Sequence, residues 1–273
     1  MNVLGHAVEA PVAGREAATA PDHDTPAIAA SALGLVIGGV RILEDIDLAV
    51  MPGEMLGVIG PNGAGKTTLF NLLSGVYRPT SGQVWLAGRD VTGLSATERA
   101  RAGLGRTFQT SSVFPALSVL ENVRLAAQAA RSGALSLVRQ PRPDDEATVA
   151  ARARLADVGL EGRAGTSAGE LSHGDKRKLE IALLLAGRPD VVLLDEPMAG
   201  VATGDVPDLV EQIRQLHRQQ GRTVLMVEHH LDVLLGLVDR VAVLHHGRLL
   251  ACDRPDVVMA DPTVQQAYLG EPL

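Results

Sequence analysis

One stretch of the chain combines glycines, a lysine and a hydroxyl at the spacing of a phosphate-binding loop: Gly60-Pro61-Asn62-Gly63-Ala64-Gly65-Lys66-Thr67. The glycines permit backbone conformations in which several N–H groups point into one anion-binding hollow. Lys66 can supply positive charge to the outer phosphates of a nucleotide, and the Thr67 hydroxyl can join the ligands of Mg²⁺. The stretch therefore predicts a site for a nucleoside triphosphate and its metal; the alternative is a glycine-rich turn with an unrelated lysine.

Such a loop must lie between a strand and a helix, and the flanking residues fit both. Met55 to Ile59 form a short apolar run that suits a buried strand. After the loop, Thr67, Thr68 and the residues to Leu73 can continue as a helix that ends before Gly75. The start of that helix adds its dipole and free N–H groups to the same anion site, so phosphate binding is the favoured interpretation.

Four further polar residues each follow a predicted strand. Asp195 and Glu196 end the apolar run that begins at Val191, which is typical of a buried parallel strand. Neighbouring side chains on a strand point to opposite faces, so both carboxylates can serve one site only if the strand ends there. His229 follows a predicted strand at 223–227, and Gln109 follows one at 106–108. Ligands bind at this end of the strands in open α/β sheets.

The remaining chain alternates strands and helices and predicts an α/β fold. Further strands are predicted at 35–37, 42–50 and 83–87, a hairpin at 241–251, and helices at 95–101, 119–130, 145–158, 172–186, 206–219 and 261–269. The region at about 110–170 is mainly helical, which predicts an inserted subdomain. Residues 1–30 lack periodicity and are rich in Ala, Pro and Gly, which predicts a flexible N-terminal extension.

Composition limits the possible partners. The 273 residues are 46% hydrophobic, which is enough for a substantial core, but only 2% are aromatic and the net charge is −7. Both values argue against a nucleic-acid partner. A single cysteine, Cys252, suits a reducing compartment. No apolar stretch approaches the ~18 residues of a membrane span, and no secretory signal is visible, so we expect any membrane role to act through a partner.

Together these motifs resemble an ATP-binding-cassette ATPase from about Leu33 to Gly270. In the order of that family, the chain carries the phosphate loop, Gln109, the signature Leu171-Ser172-His173-Gly174-Asp175, the strand end Leu193-Leu194-Asp195-Glu196-Pro197, and His229. The resemblance implies one cassette domain at 31–273: a nucleoside triphosphatase core with a parallel sheet, an N-terminal antiparallel β subdomain and a helical subdomain inserted at about 110–170.

The resemblance also implies a role for each residue, with ATP and Mg²⁺ as cofactors. Nucleotide contacts are implied for Gly60, Pro61, Asn62, Gly63, Ala64, Gly65, Lys66, Thr67, Thr68, Ser172 and Gly174; metal contacts for Thr67, Gln109 and Asp195; and catalysis for Glu196, His229, Gln109 and Lys66. Glu196 polarises the attacking water in such enzymes, and the histidine contacts the γ-phosphate. Ser172 and Gly174 face the nucleotide of a second ATPase subunit, so dimerisation completes the site.

A narrower resemblance points to the ATPases of branched-chain amino acid uptake. It rests on residues 105–109, 113–123 and 171–174 and on the ending Ala267-Tyr268-Leu269-Gly270. The urea importers share much of this pattern and remain an alternative. The resemblance implies a peripheral protein on the cytoplasmic face of the membrane, with integral permease subunits and, indirectly, a substrate-binding protein as partners. Phe114 and Pro115 are expected near the groove that receives a coupling helix of the permease.

Three departures from the family pattern support a second hypothesis. Ile37 stands where an aromatic residue usually stacks on adenine, His173 and Asp175 change the signature, and Ala202 replaces a typical aspartate. Ile37, Asp175 and Ala202 would suit a cassette that binds nucleotide but hydrolyses it weakly beside a more active partner. A soluble cassette acting in translation or DNA repair ranks lowest, because neither a second cassette nor a long coiled coil is present.

Overall fold

The computed structural model describes residues 24–107, 113–131, 145–218 and 221–269. Its elements in chain order are β1 (Ile28–Ile37), β2 (Val40–Val50), β3 (Met55–Ile59), α1 (Lys66–Leu73), β4 (Ser81–Leu86), β5 (Arg89–Asp90), α2 (Ala96–Arg101), β6 (Leu104–Arg106), α3 (Val119–Arg131), α4 (Glu146–Asp157), α5 (His173–Ala186), β7 (Val191–Asp195), α6 (Val206–Arg218), β8 (Thr223–Val227), α7 (Leu231–Leu235), β9 (Arg240–His245), β10 (Arg248–Asp253), α8 (Pro255–Ala260) and α9 (Pro262–Leu269). Short 3₁₀ turns lie at Glu161–Arg163 and Ala168–Glu170.

The strands form two sheets, as the α/β prediction requires. Six strands follow the order β10-β9-β3-β8-β7-β6, in which every pair is parallel except the edge pair β10–β9. Four strands follow the order β2-β1-β4-β5, and all of their pairs are antiparallel. The predicted parallel core and antiparallel β subdomain are both confirmed.

Helix α1 lies between the two sheets and carries the centre of one hydrophobic core. Its residues Leu69, Phe70 and Leu72 are fully buried, and they belong to one cluster with residues of β1, β2, β4 and the six-stranded sheet. The end of α1 leaves backbone carbonyls without helical partners. Arg99 of α2 satisfies them from within the core, donating from Nη1 to Leu72 O at 2.7 Å and to Leu73 O at 2.8 Å.

A second core lies under the helices on the other side of the six-stranded sheet. Helices α3, α4 and α5 pack on one another, with Val123, Leu155 and Leu179 buried among them. The described elements between residues 113 and 170 are thus helical, while the boundaries of an inserted subdomain stay a prediction. None of the described helices is long and apolar enough to cross a membrane.

Several element bounds differ from the predictions. Strand β1 begins at Ile28, inside the predicted extension, because Ile28 and Ala30 are buried and pair with β2. Strand β6 ends at Arg106, two residues earlier than predicted. The sequence patterns do not predict the short helices α7 and α8.

Candidate nucleotide-binding and catalytic site

The chemistry-bearing segments meet at one edge of the six-stranded sheet. Strands β3, β8 and β7 are parallel neighbours, so their carboxyl ends lie side by side. The phosphate loop leaves β3, Asp195 ends β7 with Glu196 next along the chain, and His229 follows the end of β8. The topology therefore brings together three of the segments that the motifs predicted to share a site.

The loop is backed by the β9–β10 hairpin and open on its outer side. Gly60 has φ +151°, and a Cβ there would lie 2.1 Å from the Leu244 carbonyl oxygen of β9, so only glycine fits. The Gly247 N–H of the hairpin turn donates to Ala64 O at 3.1 Å. Asn62 and Thr67 are exposed, whereas Thr68 is partly buried in α1. A Cβ at Gly63 would meet no atom of the described residues within 4 Å, so the loop is open at this position.

Lys66 bridges the loop from inside. Its Nζ donates to Gly60 O at 2.7 Å and to Pro61 O at 3.0 Å, and the side chain is buried. Burial lowers the pKa of Lys66, while the charges of Glu196 and Asp195 oppose that shift. The ammonium group therefore lies within the electrostatic reach of both carboxylates, as a shared site requires.

Asp195 is a buried carboxylate with its two oxygens in different environments. Oδ2 accepts a hydrogen bond from Arg106 Nη2 at 2.9 Å, whereas Oδ1 has no hydrogen-bond partner among the described residues. An orphaned acceptor near a positively charged loop fits a metal ligand, and the exposed Thr67 hydroxyl fits a second one. The described residues contain no cluster of three or more acidic, histidine or cysteine ligands. Mg²⁺ takes most of its ligands from phosphates and water, so a carboxylate and a hydroxyl can suffice from the protein.

Glu196 leaves the strand geometry at the residue after β7. Its φ is +49°, a conformation that costs a non-glycine residue roughly 1–3 kcal/mol. The Glu196 N–H donates to Val227 O at 3.0 Å, which holds this turn against β8. Its Oε1 lies 3.0 Å from His229 Nε2. The turn thus explains how two consecutive carboxylates serve the same edge, and it places Glu196 and His229 in contact.

Glu228 is a site residue that the sequence motifs did not predict. Its buried carboxylate accepts hydrogen bonds from Met198 N at 2.7 Å and from His229 N at 3.0 Å. It therefore ties the loop after β7 to the loop after β8, on which Glu196 and His229 meet. The only signal in the sequence is a carboxylate between an apolar strand and a histidine, which is also common at solvated strand ends.

We expect Glu228→Ala to reduce nucleoside triphosphate hydrolysis by about ten- to a hundredfold, because small displacements of catalytic groups have effects of this size. Phosphate release at saturating nucleotide measures the effect. His230→Ala is the matched control, since His230 Nδ1 contacts Glu228 at only 3.4 Å and its side chain is mostly exposed. Turnover of Glu228→Ala equal to that of the control would show that this carboxylate does not position the site.

The other predicted site residues lie elsewhere. Ser172 is the N-cap of α5, where its side chain accepts from Asp175 N at 3.1 Å. Gly174 is in the first turn of α5, and a Cβ there would lie 3.0 Å from Asp205 Oδ2. The start of α5 belongs to the region of packed helices and not to the carboxyl edge of the six-stranded sheet. Gln109 lies outside the described residues, so its predicted metal and catalytic roles stay predictions.

Two protein families match this chain, over different ranges of residues. The family described as ABC transporter matches residues 43–199, which contain the loop, Ser172, Gly174, Asp195 and Glu196. The family described as branched-chain amino acid ATP-binding cassette transporter matches residues 248–272.

Individual relatives cover nearly the whole chain. It is 37% identical to the high-affinity branched-chain amino acid transport ATP-binding protein LivG of Escherichia coli (strain K12), over 90% of this chain and 98% of LivG. It is also 37% identical to the lipopolysaccharide export system ATP-binding protein LptB of Acidithiobacillus ferridurans, over 84% of this chain and 91% of LptB. The structure of MJ1267 in its ADP conformation, an ATP-binding cassette of an ABC transporter, matches with a TM-score of 0.79 and 30% identity, over 90% of this chain and 99% of MJ1267.

Proposed function

Since the chain belongs to the ABC transporter family of ATP-binding cassettes, we propose that it is the ATPase subunit that drives an importer of branched-chain amino acids. ATP hydrolysis for a transporter follows from the family, and the cargo is the further step. The observation that supports branched-chain amino acids as the cargo is the match of residues 248–272 to the branched-chain amino acid cassette family. The percentage identity does not identify the cargo, because LivG and LptB are both 37% identical to this chain.

In this proposal the sheet edge holds the nucleotide. The backbone N–H groups of the loop and of α1 bind the phosphates, and Lys66 turns from the carbonyls of Gly60 and Pro61 to the outer phosphates. Thr67 and Asp195 would hold Mg²⁺, which would neutralise charge on the phosphate oxygens, and Gln109 would sense the metal. Ile37, which is 54% exposed, contacts the base but has no aromatic ring to stack on it.

Glu196 and His229 perform the hydrolytic step. Glu196 orients the attacking water and accepts its proton, and its position after β7 aims the carboxylate at the same edge as the phosphates. His229, whose Nε2 lies 3.0 Å from Glu196 Oε1, donates to the γ-phosphate. Positioning and charge stabilisation account for most of such phosphoryl transfer, which suits a site with few reactive groups.

The protein acts as a dimer of cassettes on the cytoplasmic face of the membrane. Ser172 and Gly174 at the start of α5 bind the nucleotide of the partner subunit, since a helix start is an anion site. Integral permease subunits dock near Phe114, which is 59% exposed. Asn122 fastens this segment, accepting from Phe114 N at 2.8 Å and donating to Phe114 O at 3.1 Å. A substrate-binding protein acts indirectly through the permease.

Mixing two inactive variants tests the composite site. Lys66→Ala disables the loop, and Ser172→Asp keeps an N-cap acceptor but places a negative charge where phosphate would bind. An equimolar mixture should recover about a quarter of the wild-type sites, because half of the dimers are mixed and each has one intact site. Ser172→Asn, a neutral cap, should remain active. Active Ser172→Asp, or no recovery from variants that each still dimerise, would contradict a shared site.

Uptake measurements test the cargo. Cells lacking this gene should lose uptake of radiolabelled leucine and retain uptake of radiolabelled urea. The reverse result would favour the urea importer, and loss of neither would contradict both cargoes.

A second candidate function is a cassette with weak hydrolysis beside a more active partner. The supporting observation is the pair of carboxylates at the start of α5: Asp175 lies in its first turn and Asp205 lies beside Gly174. Both would compete with a phosphate for the positive end of the helix. Under this alternative, turnover is near background for the pure chain and rises when the partner cassette is co-expressed.

A further inference from the structure

A buried arginine reaches the metal-binding carboxylate from the neighbouring strand. Arg106, the last residue of β6, pairs in register with Leu193 of β7, two residues before Asp195. Its Nη2 donates to Asp195 Oδ2 at 2.9 Å, and the two side chains are only 6% and 1% exposed. The pair is therefore shielded from solvent and salt.

The same guanidinium is anchored on the helix that follows the phosphate loop. Arg106 Nη1 donates to Asn71 Oδ1 and to Ser74 Oγ, both at 2.8 Å. Asn71 belongs to α1 and Ser74 is its C-cap. The planar fork of an arginine can bind three acceptors in a fixed direction, whereas lysine presents one charged nitrogen on a flexible stem. Arg106 thus links the loop helix to the carboxylate at the end of β7.

A buried ion pair of this kind is weak evidence for stability. Removing two charges from water costs several kcal/mol each, and apolar replacements of whole pairs are often neutral or stabilising. A role in the site explains the pair better. By binding Oδ2, Arg106 fixes the rotation of the Asp195 carboxylate and leaves Oδ1, which has no hydrogen-bond partner among the described residues, as the available oxygen.

We propose that Arg106 is a positioning residue that orients Asp195 for Mg²⁺ through a guanidinium anchored on α1. The inference rests on the proposed function, in which Asp195 is a metal ligand of the bound nucleotide. Arg106 touches neither nucleotide nor metal in this role. Groups that orient a ligand in this way typically change metal affinity ten- to a hundredfold when replaced.

The test is the Mg²⁺ dependence of nucleotide binding, which requires no turnover. Binding of fluorescent N-methylanthraniloyl-ADP is titrated against Mg²⁺ and repeated in EDTA. Arg106→Lys keeps the charge and loses the fork, so we expect the Mg²⁺ concentration for half-maximal binding to rise about tenfold. Binding in EDTA should stay as in the wild type.

Arg99→Lys is the matched control for damage to the fold. Arg99 is also fully buried and donates to α1, but its bonds go to the carbonyls of Leu72 and Leu73. Arg99→Lys should lower the unfolding temperature and leave the Mg²⁺ dependence unchanged. Equal changes of the Mg²⁺ dependence in both lysine variants would overturn the proposal, because any disturbance of α1 would then be enough to change the Mg²⁺ dependence.

Two further variants keep the proposal falsifiable if Arg106→Lys does not fold. Asn71→Ala removes one anchor of the guanidinium without altering a charge and should shift the Mg²⁺ dependence in the same direction by a smaller factor. When Asn71→Ala is combined with Asp195→Asn, the Mg²⁺ dependence should be almost the same as with Asp195→Asn alone, because both changes act through one carboxylate. Unchanged Mg²⁺ dependence of Asn71→Ala would refute the role by itself, and so would unchanged Mg²⁺ dependence of a folded Arg106→Lys. If nucleotide binding by the wild type did not depend on Mg²⁺, that result would instead contradict the proposed metal site itself.

Discussion

Glu196→Gln should lower ATP hydrolysis by about 10²–10⁴-fold and leave ATP binding close to that of the wild type, as expected for loss of a general base. Glutamine has nearly the same size and can occupy the same φ of +49°, so the backbone turn after β7 should survive. It can also remain within hydrogen-bonding distance of His229 Nε2, which Glu196 Oε1 approaches to 3.0 Å. What glutamine cannot do is accept the proton of the attacking water. Phosphate release and equilibrium binding of ATP measure the two quantities separately.

A surface carboxylate provides the control for Glu196→Gln. Glu211 pairs with Arg214 on the exposed side of α6, and Glu211→Gln should leave both hydrolysis and binding unchanged. Because hydrolysis is blocked and binding is not, Glu196→Gln should also retain ATP in the dimer after free nucleotide is removed. Steady turnover by this variant would remove Glu196 from the water-activating role.

Lys66→Ala should abolish measurable hydrolysis and weaken nucleotide binding by about 30-fold or more, since removing one partner of a buried charged contact costs about 2–5 kcal/mol. The loss is electrostatic, because no other residue of the loop stretch 60–67 carries a charge. The effect on folding should be small. Burial lowers the pKa of Lys66, so the protein already pays to keep this ammonium charged inside the loop.

Thermal unfolding separates these two effects of Lys66→Ala. The unfolding temperature should change by only a few degrees, which corresponds to about 1 kcal/mol for a chain of this size. Lys178→Ala is the control, because Lys178 pairs at 3.6 Å with an exposed Asp208 on α6. Nucleotide affinity of Lys66→Ala equal to that of the control would contradict the phosphate-binding role of the lysine.

Much of the sheet edge could be predicted because its signals are local. The apolar run at Met55–Ile59, the glycine spacing of the loop and the helix from Lys66 lie within 20 residues of one another, and the structure has each of them. The strands Val191–Asp195 and Thr223–Val227 were equally clear, since buried parallel strands are continuous apolar runs. Predictions were less accurate where packing overrides local preference. Strand β6 ends at Arg106, two residues before the predicted end. The same strand packs closely on α5, since a Cβ at Gly105 would lie 2.7 Å from Leu184 Cδ1, and no local pattern reveals this contact.

The phosphate loop, its flanking elements and the set of polar residues at the strand ends can all be predicted from the sequence, because glycine spacing and hydrophobic periodicity act over a few residues. The contacts that hold those polar residues in place depend on the fold. Arg106 and Asp195 are 89 positions apart and meet because β6 and β7 are neighbours in the sheet. Glu228 joins two loops whose contact depends on the order of β7 and β8, and the turn at Glu196 is held by a hydrogen bond to β8. Such partnerships depend on which strands lie side by side, and hydrophobic periodicity along one strand carries no information about its neighbour.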